Sequence, residues 1–70
     1  MTIKQKQAVN FLEAFGFKIA GQKQETFIYL KIENNLGRYY RKVGEDGKTE
    51  NITEETFLKQ GTGLNIYYGG

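Results

Sequence analysis

The chain contains no cysteine, histidine, proline or tryptophan, and no serine occurs along it. Each absence narrows the chemistry. Without cysteine there is no disulfide framework and no thiolate nucleophile. Small secreted domains are commonly stapled by disulfides, so the sequence points to a reducing, cytoplasmic setting. Without cysteine and histidine, zinc, iron and copper sites lose their usual ligands, and no metal or cofactor is expected. Without serine, cysteine and histidine, the common nucleophile–base pairs cannot be assembled, which argues against an enzyme. Without proline, nothing forces a kink or a stop. Long apolar runs are also missing: no stretch approaches the roughly 20 residues of a membrane span, and the opening Met1-Thr2-Ile3-Lys4-Gln5-Lys6 is unlike a signal peptide.

What is present fits one domain of 70 residues. A core of that size rarely contributes more than roughly 3–5 kcal/mol of net stability. The net charge of +2, from 10 basic and 8 acidic residues, is too mild to imply nucleic acid by itself. It is unevenly spread, since residues 1–24 carry Lys4, Lys6, Lys18 and Lys23 against Glu13 alone. Lysine outnumbers arginine and Asn, Ile and Tyr are frequent, as in A/T-rich coding sequences of low-GC bacteria and their phages.

The local patterns predict an α+β domain. Thr2 and Gln5 form a T-x-x-Q capping box at the start of a helix over about residues 3–15. Its expected inward stripe is Ala8, Phe11, Leu12 and Phe15, with Val9 beside it. Gly16 is placed to end that helix in a left-handed conformation, with Phe17 folding back on the last turn. Residues 17–19 suggest a short strand and 21–25 a polar loop. Residues 26–32 give the strongest strand signal, 38–43 and 48–52 two more, with an Asp46-Gly47 hairpin turn between the latter two. Thr53 suits the N-cap of a short helix over 54–60, ending at Gly61, with Glu54 and Glu55 favourably placed against its dipole. A last strand is expected over 64–68. The predicted order is α-(β)-β-β-β-α-β, an antiparallel sheet of three to four strands with both helices packed on one face.

Strand parity then suggests a contact surface. In the strand 26–32, Ile28, Leu30 and Ile32 share one face and Phe27, Tyr29 and Lys31 the other. The aliphatic face is the better partner for the helices, with Phe57 and Leu58 added from the second. On the next strand Tyr39 and Val43 are assigned inward and Arg38, Tyr40 and Lys42 outward, leaving Arg41 inward without an explanation. The open face would then hold Phe27, Tyr29 and Tyr40 among Lys31, Arg38 and Lys42. Such a set can anchor a protein partner. It can equally stack unpaired bases and hold phosphates. It can also be no more than good strand-forming chemistry, with lysine stems lying over rings. The leading expectation is a non-enzymatic binding module for a protein partner. The alternatives are a weak nucleic-acid binder using the same face and a self-assembling structural protein built through the last strand, as monomer or homodimer otherwise, with no membrane contact.

Other motifs lose on context. Gly47-Lys48-Thr49 is like the end of a phosphate-binding loop, but Lys42 stands where that motif needs glycine and a hairpin stands where it needs a strand-to-helix turn. Gly61-Thr62-Gly63 starts a dinucleotide fingerprint that Ile66 breaks. Asn51-Ile52-Thr53 is a formal glycosylation sequon, idle in a cytoplasmic chain. Residues 39–59, with the Tyr-Tyr strand, the Gly-Glu-Asp-Gly-Lys turn and Ile-Thr-Glu-Glu-Thr-Phe, are similar in style to small accessory proteins of bacterial phages and mobile elements. That likeness assigns no site residue.

Overall fold

A computed structural model describes residues 1–23 and 26–60, with the side chains of residues 22 and 23 left aside. The elements run α1 (Ile3–Ala14), β1 (Lys18–Lys23), β2 (Phe27–Asn34), β3 (Gly37–Val43), β4 (Thr49–Ile52) and α2 (Glu54–Gln60). The strands form one antiparallel meander in the order β1-β2-β3-β4. This is the α+β class and element order that the patterns predict. The strand expected over 64–68 lies outside the described residues.

The first strand is longer than its sequence suggests. Residues 21–23, read as the start of a polar loop, continue β1 and pair with β2 at Gly21↔Tyr29 and Lys23↔Phe27. An edge strand needs only backbone pairing, so polar residues extend it without an alternating pattern. The register shifts between Ile19 and Gly21.

Both ends of α1 follow their local chemistry. The Gln5 backbone N–H donates to Thr2 Oγ1 at 3.0 Å and the Thr2 N–H donates to Gln5 Oε1 at 3.1 Å, closing the capping box. At the other end, Gly16 N–H donates to the Glu13 carbonyl at 3.0 Å and Phe17 N–H to the Leu12 carbonyl at 3.1 Å. That pair is a Schellman motif, and it requires the left-handed φ of +108° that Gly16 supplies.

The helix is rotated from its expected orientation. Gln5, Val9 and Leu12 face the sheet, while Phe11 and Phe15 are each 64 % exposed. The rotation is pinned at the N-terminus. Thr2 Oγ1 donates to the Glu45 carbonyl at 2.6 Å, and Gln5 Nε2 donates to the carbonyls of Thr26 at 2.8 Å and Val43 at 3.3 Å. Satisfying a buried carboxamide outweighs choosing the larger apolar residue, because an unpaired buried polar group costs about 1–3 kcal/mol. The core beneath α1 is Val9, Leu12, Ile28, Leu30 and Val43, with Ala8, Phe17 and Ile19 against it.

The two helices lie on opposite faces of the sheet, which corrects the one-sided arrangement. A second cluster of Tyr29, Tyr40 and Phe57, flanked by Ala20, Phe27 and Ile52, forms under α2. One residue, Thr53, joins β4 to α2. Ile52 pairs with Tyr40, so both side chains lie on the face away from α1, and so short a link returns α2 to that face. Thr53 caps it: its hydroxyl accepts the Thr56 N–H at 3.1 Å.

Candidate functional site

The parity of β2 is as the sequence suggests, with Ile28 and Leu30 buried under α1. The consequence drawn from it does not hold, because the other face is covered too. Tyr29 is fully enclosed and Tyr40 is 5 % exposed. Phe57 stacks on Tyr40 with ring centroids 4.6 Å apart and meets Tyr29 edge-on at 6.1 Å. Neither tyrosine is available as an exposed contact ring.

The remaining members of that predicted set are scattered or engaged. Phe27 is half-buried beneath Lys42, whose Nζ stands 4.2 Å from its ring centroid. Lys42 also reaches Gln60 Oε1 at 3.5 Å, and the Tyr29 hydroxyl donates to the same oxygen at 3.4 Å. Arg38 is exposed and paired, with Nε 2.9 Å from Glu33 Oε2 and Nη1 3.5 Å from Glu54 Oε2. Lys31 is half-buried opposite Tyr40. The six residues therefore share a sheet face, as parity requires, but form the underside of α2 and its charged rim.

Electrostatics on this face follow from the packing. Burial raises the Tyr29 hydroxyl above its ordinary value of 10.0. Burial also raises Tyr40, helped by the Glu54 carboxylate that accepts its hydrogen bond at 3.3 Å, while Arg38 opposes the shift. Arg38 is held further above its usual range, first by Glu54 and then by Glu33. These groups fasten α2 to β2 and β3. Among the described residues, no three His, Cys, Asp or Glu side chains gather as a metal set.

Among the described residues, an accessible apolar concavity lies on the face beneath α1. An open groove of about 450 Å³ runs between the C-terminal half of α1 and the sheet. Phe11 and Phe15 wall it from the helix, their rings edge-to-face at 5.1 Å. Ile32 and Tyr39, cross-strand partners on β2 and β3, form its floor. Tyr39 lies on the α1 face, as its inward assignment requires, but it is 49 % exposed at the margin of the helix and is not part of the buried core. Arg41 and Asn51, paired on β3 and β4, stand at the polar end.

Arg41 thereby acquires a place. It lies on the α1 face, as parity requires, but where the helix leaves the sheet uncovered. Its Nη1 donates to Thr49 Oγ1 at 3.3 Å, and among the described residues no carboxylate pairs with it. The sequence held one signal for this groove. Ala8, Val9, Phe11, Leu12 and Phe15 occupy too wide an arc for one helix to bury against a single sheet, so some of them must remain at its margin.

No protein-family model matches this chain, and neither does any curated protein or solved structure.

Proposed function

We propose that this protein is a non-enzymatic binding module that holds a protein partner in the groove between α1 and strands β2 and β3. The observation that carries the reading is the convergence of Phe11, Phe15 and Tyr39 on one concavity, 64 %, 64 % and 49 % exposed. Aromatic side chains at the centre of a groove supply most of the energy in typical protein interfaces, because each buries a large apolar area with few rotamers to fix. Single exposed apolar residues are ordinary, but a cluster rimmed by Asn34, Arg41 and Asn51 has the apolar centre and polar edge of a contact site. The lack of cysteine supports a cytoplasmic setting, and the style of residues 39–59 supports an accessory role in a bacterial phage or mobile element.

A nucleic-acid role draws less support from the same face than the sequence suggested. Two stacking rings lie under α2 and Arg38 is engaged by two carboxylates. The self-assembly reading rested on residues 64–68, outside the described residues.

The test is selection of binders from a random peptide library displayed on phage, with the full chain as bait. Binders should shift the NMR signals of Phe11, Phe15, Ile32 and Tyr39, and lose at least about tenfold in affinity for the Phe11→Ser/Phe15→Ser variant. Binders that shift other residues and tolerate the variant would overturn the assignment.

A further inference from the structure

Among the described residues the groove has an apolar wall and a single cation, and that asymmetry defines its occupant. Phe11, Phe15, Ile32 and Tyr39 offer no hydrogen-bonding group toward the groove's centre beyond the Tyr39 hydroxyl, which donates to the Leu36 carbonyl at 3.3 Å. A polar side chain entering there would leave its water partners without replacement, which costs about 1–3 kcal/mol. Arg41 closes one end. It is half-buried, its guanidinium has one neutral hydroxyl partner at 3.3 Å, and no acid from the described residues answers its charge. The other arginine shows the contrast, being paired to Glu33 and Glu54. A guanidinium presents a planar fork of donors that fits a carboxylate in bidentate fashion. Asn34 and Asn51, the remaining polar lining residues, are uncharged and do not compete for it.

Resting on the reading that the groove binds a protein, we infer that its occupant is a segment of a partner protein carrying a bulky apolar side chain next to an aspartate or glutamate. The apolar group fills the space between Phe11, Phe15, Ile32 and Tyr39. The carboxylate takes the free fork of Arg41. Charge complementarity selects this chemistry over a basic or purely apolar segment, because a cationic partner would meet Arg41 with like charge and an uncharged one would leave its fork unpaired when water is excluded.

The peptide selection distinguishes this inference from the reading beneath it. Selected binders should be enriched in an aromatic or large aliphatic residue beside Asp or Glu. Changing that acid to its amide should weaken binding about tenfold to the wild type and little to Arg41→Gln, and raised salt should weaken the wild-type complex more than the variant's. Binders that occupy the groove but carry no acid, or that are indifferent to Arg41→Gln, would overturn the acidic specificity and leave the groove as the site. Binders insensitive to Phe11→Ser/Phe15→Ser would overturn both. Sedimentation showing a dimer that Phe15→Ser abolishes would assign the groove to a second copy and overturn the inference. So would nuclear Overhauser contacts in the free chain between residues 61–70 and the Phe15 ring. Phe15 is exposed and Arg41 half-buried, so a dispersed NMR spectrum for each variant verifies that the fold persists.

Discussion

The Phe57 ring lies nearly flat on Tyr40, with centroids 4.6 Å apart and planes inclined by 24°. This contact, with the edge-on meeting of Phe57 and Tyr29, turns what would be an open sheet face into a second core. Burying a phenylalanine contributes about 1.5–3 kcal/mol, and aromatic pairing adds about 0.5–1.5 kcal/mol. A seven-residue helix has little stability of its own, so packing must hold it.

Phe57→Ala should therefore detach α2 and cost about 2–4 kcal/mol. Amide protection should fall first in residues 54–60, while β2 amides beneath α1 stay protected longer. An unchanged melting temperature with α2 amides still protected would show that Phe57 is not the anchor.

Gln5 makes a different kind of core. It is buried, and its amide group serves three backbone partners: the carbonyls of Thr26 and Val43 and the N–H of Thr2. Gln5→Leu should lower stability by about 1–3 kcal/mol in denaturant unfolding despite adding apolar volume, because the orphaned groups remain buried. Gln5→Glu should be worse at neutral pH, since a carboxylate cannot donate to carbonyls. Part of that loss should return as the pH falls and the introduced acid, its pKa raised by burial, takes up a proton. A Leu variant as stable as the wild type would remove the clamp from the account.

Gly47 lies in the β3–β4 turn at φ +84°, and a Cβ there would stand 2.9 Å from the Lys4 carbonyl oxygen. Both the backbone conformation and the close approach to α1 exclude a side chain. Gly47→Ala should cost about 1–3 kcal/mol and loosen the Thr2 to Glu45 hydrogen bond. Thermal unfolding within about 0.5 kcal/mol of wild type would contradict this.

Alkaline titration tests the second core. Tyr29 and Tyr40 have folded-state values raised above 10.0, so the native state holds these protons more tightly than the unfolded chain does. Their contribution is complete below the unfolded value of about 10 and is lost as pH rises through the folded values. Stability should fall from about pH 10 upward. Absorbance at the tyrosinate band should show Tyr29 and Tyr40 ionising late, and Phe57→Ala should move them earlier. Tyr29 and Tyr40 titrating at the ordinary value of 10.0 would mean that α2 does not cover that face.

Much of this architecture was legible in local chemistry. The capping box at Thr2 and Gln5, the Schellman end at Gly16, the Asp46-Gly47 turn and the cap at Thr53 are each decided within a few residues, where side-chain and backbone groups meet irrespective of the rest of the chain. The parity of Ile28 and Leu30 against Tyr29 is likewise a property of any extended strand. The candidate contact surface was not legible to the same degree, because exposure depends on what is packed above a face. Phe11 and Phe15 were expected in the core and stand outside it, whereas Tyr29 and Tyr40 were expected in contact with a partner and are sealed.

The residues alone thus determined the helix ends, the hairpin turn, the strand faces and the α+β order, since each follows from backbone sterics and hydrogen bonds over short spans. Only the tertiary structure decided the rotation of α1 about Gln5, the face that α2 covers, and the isolation of Arg41 beside an apolar groove. Those outcomes depend on which of several similar apolar surfaces meet. A buried carboxamide and a one-residue link from β4 to α2 settle that choice, while the hydrophobic pattern permits either result.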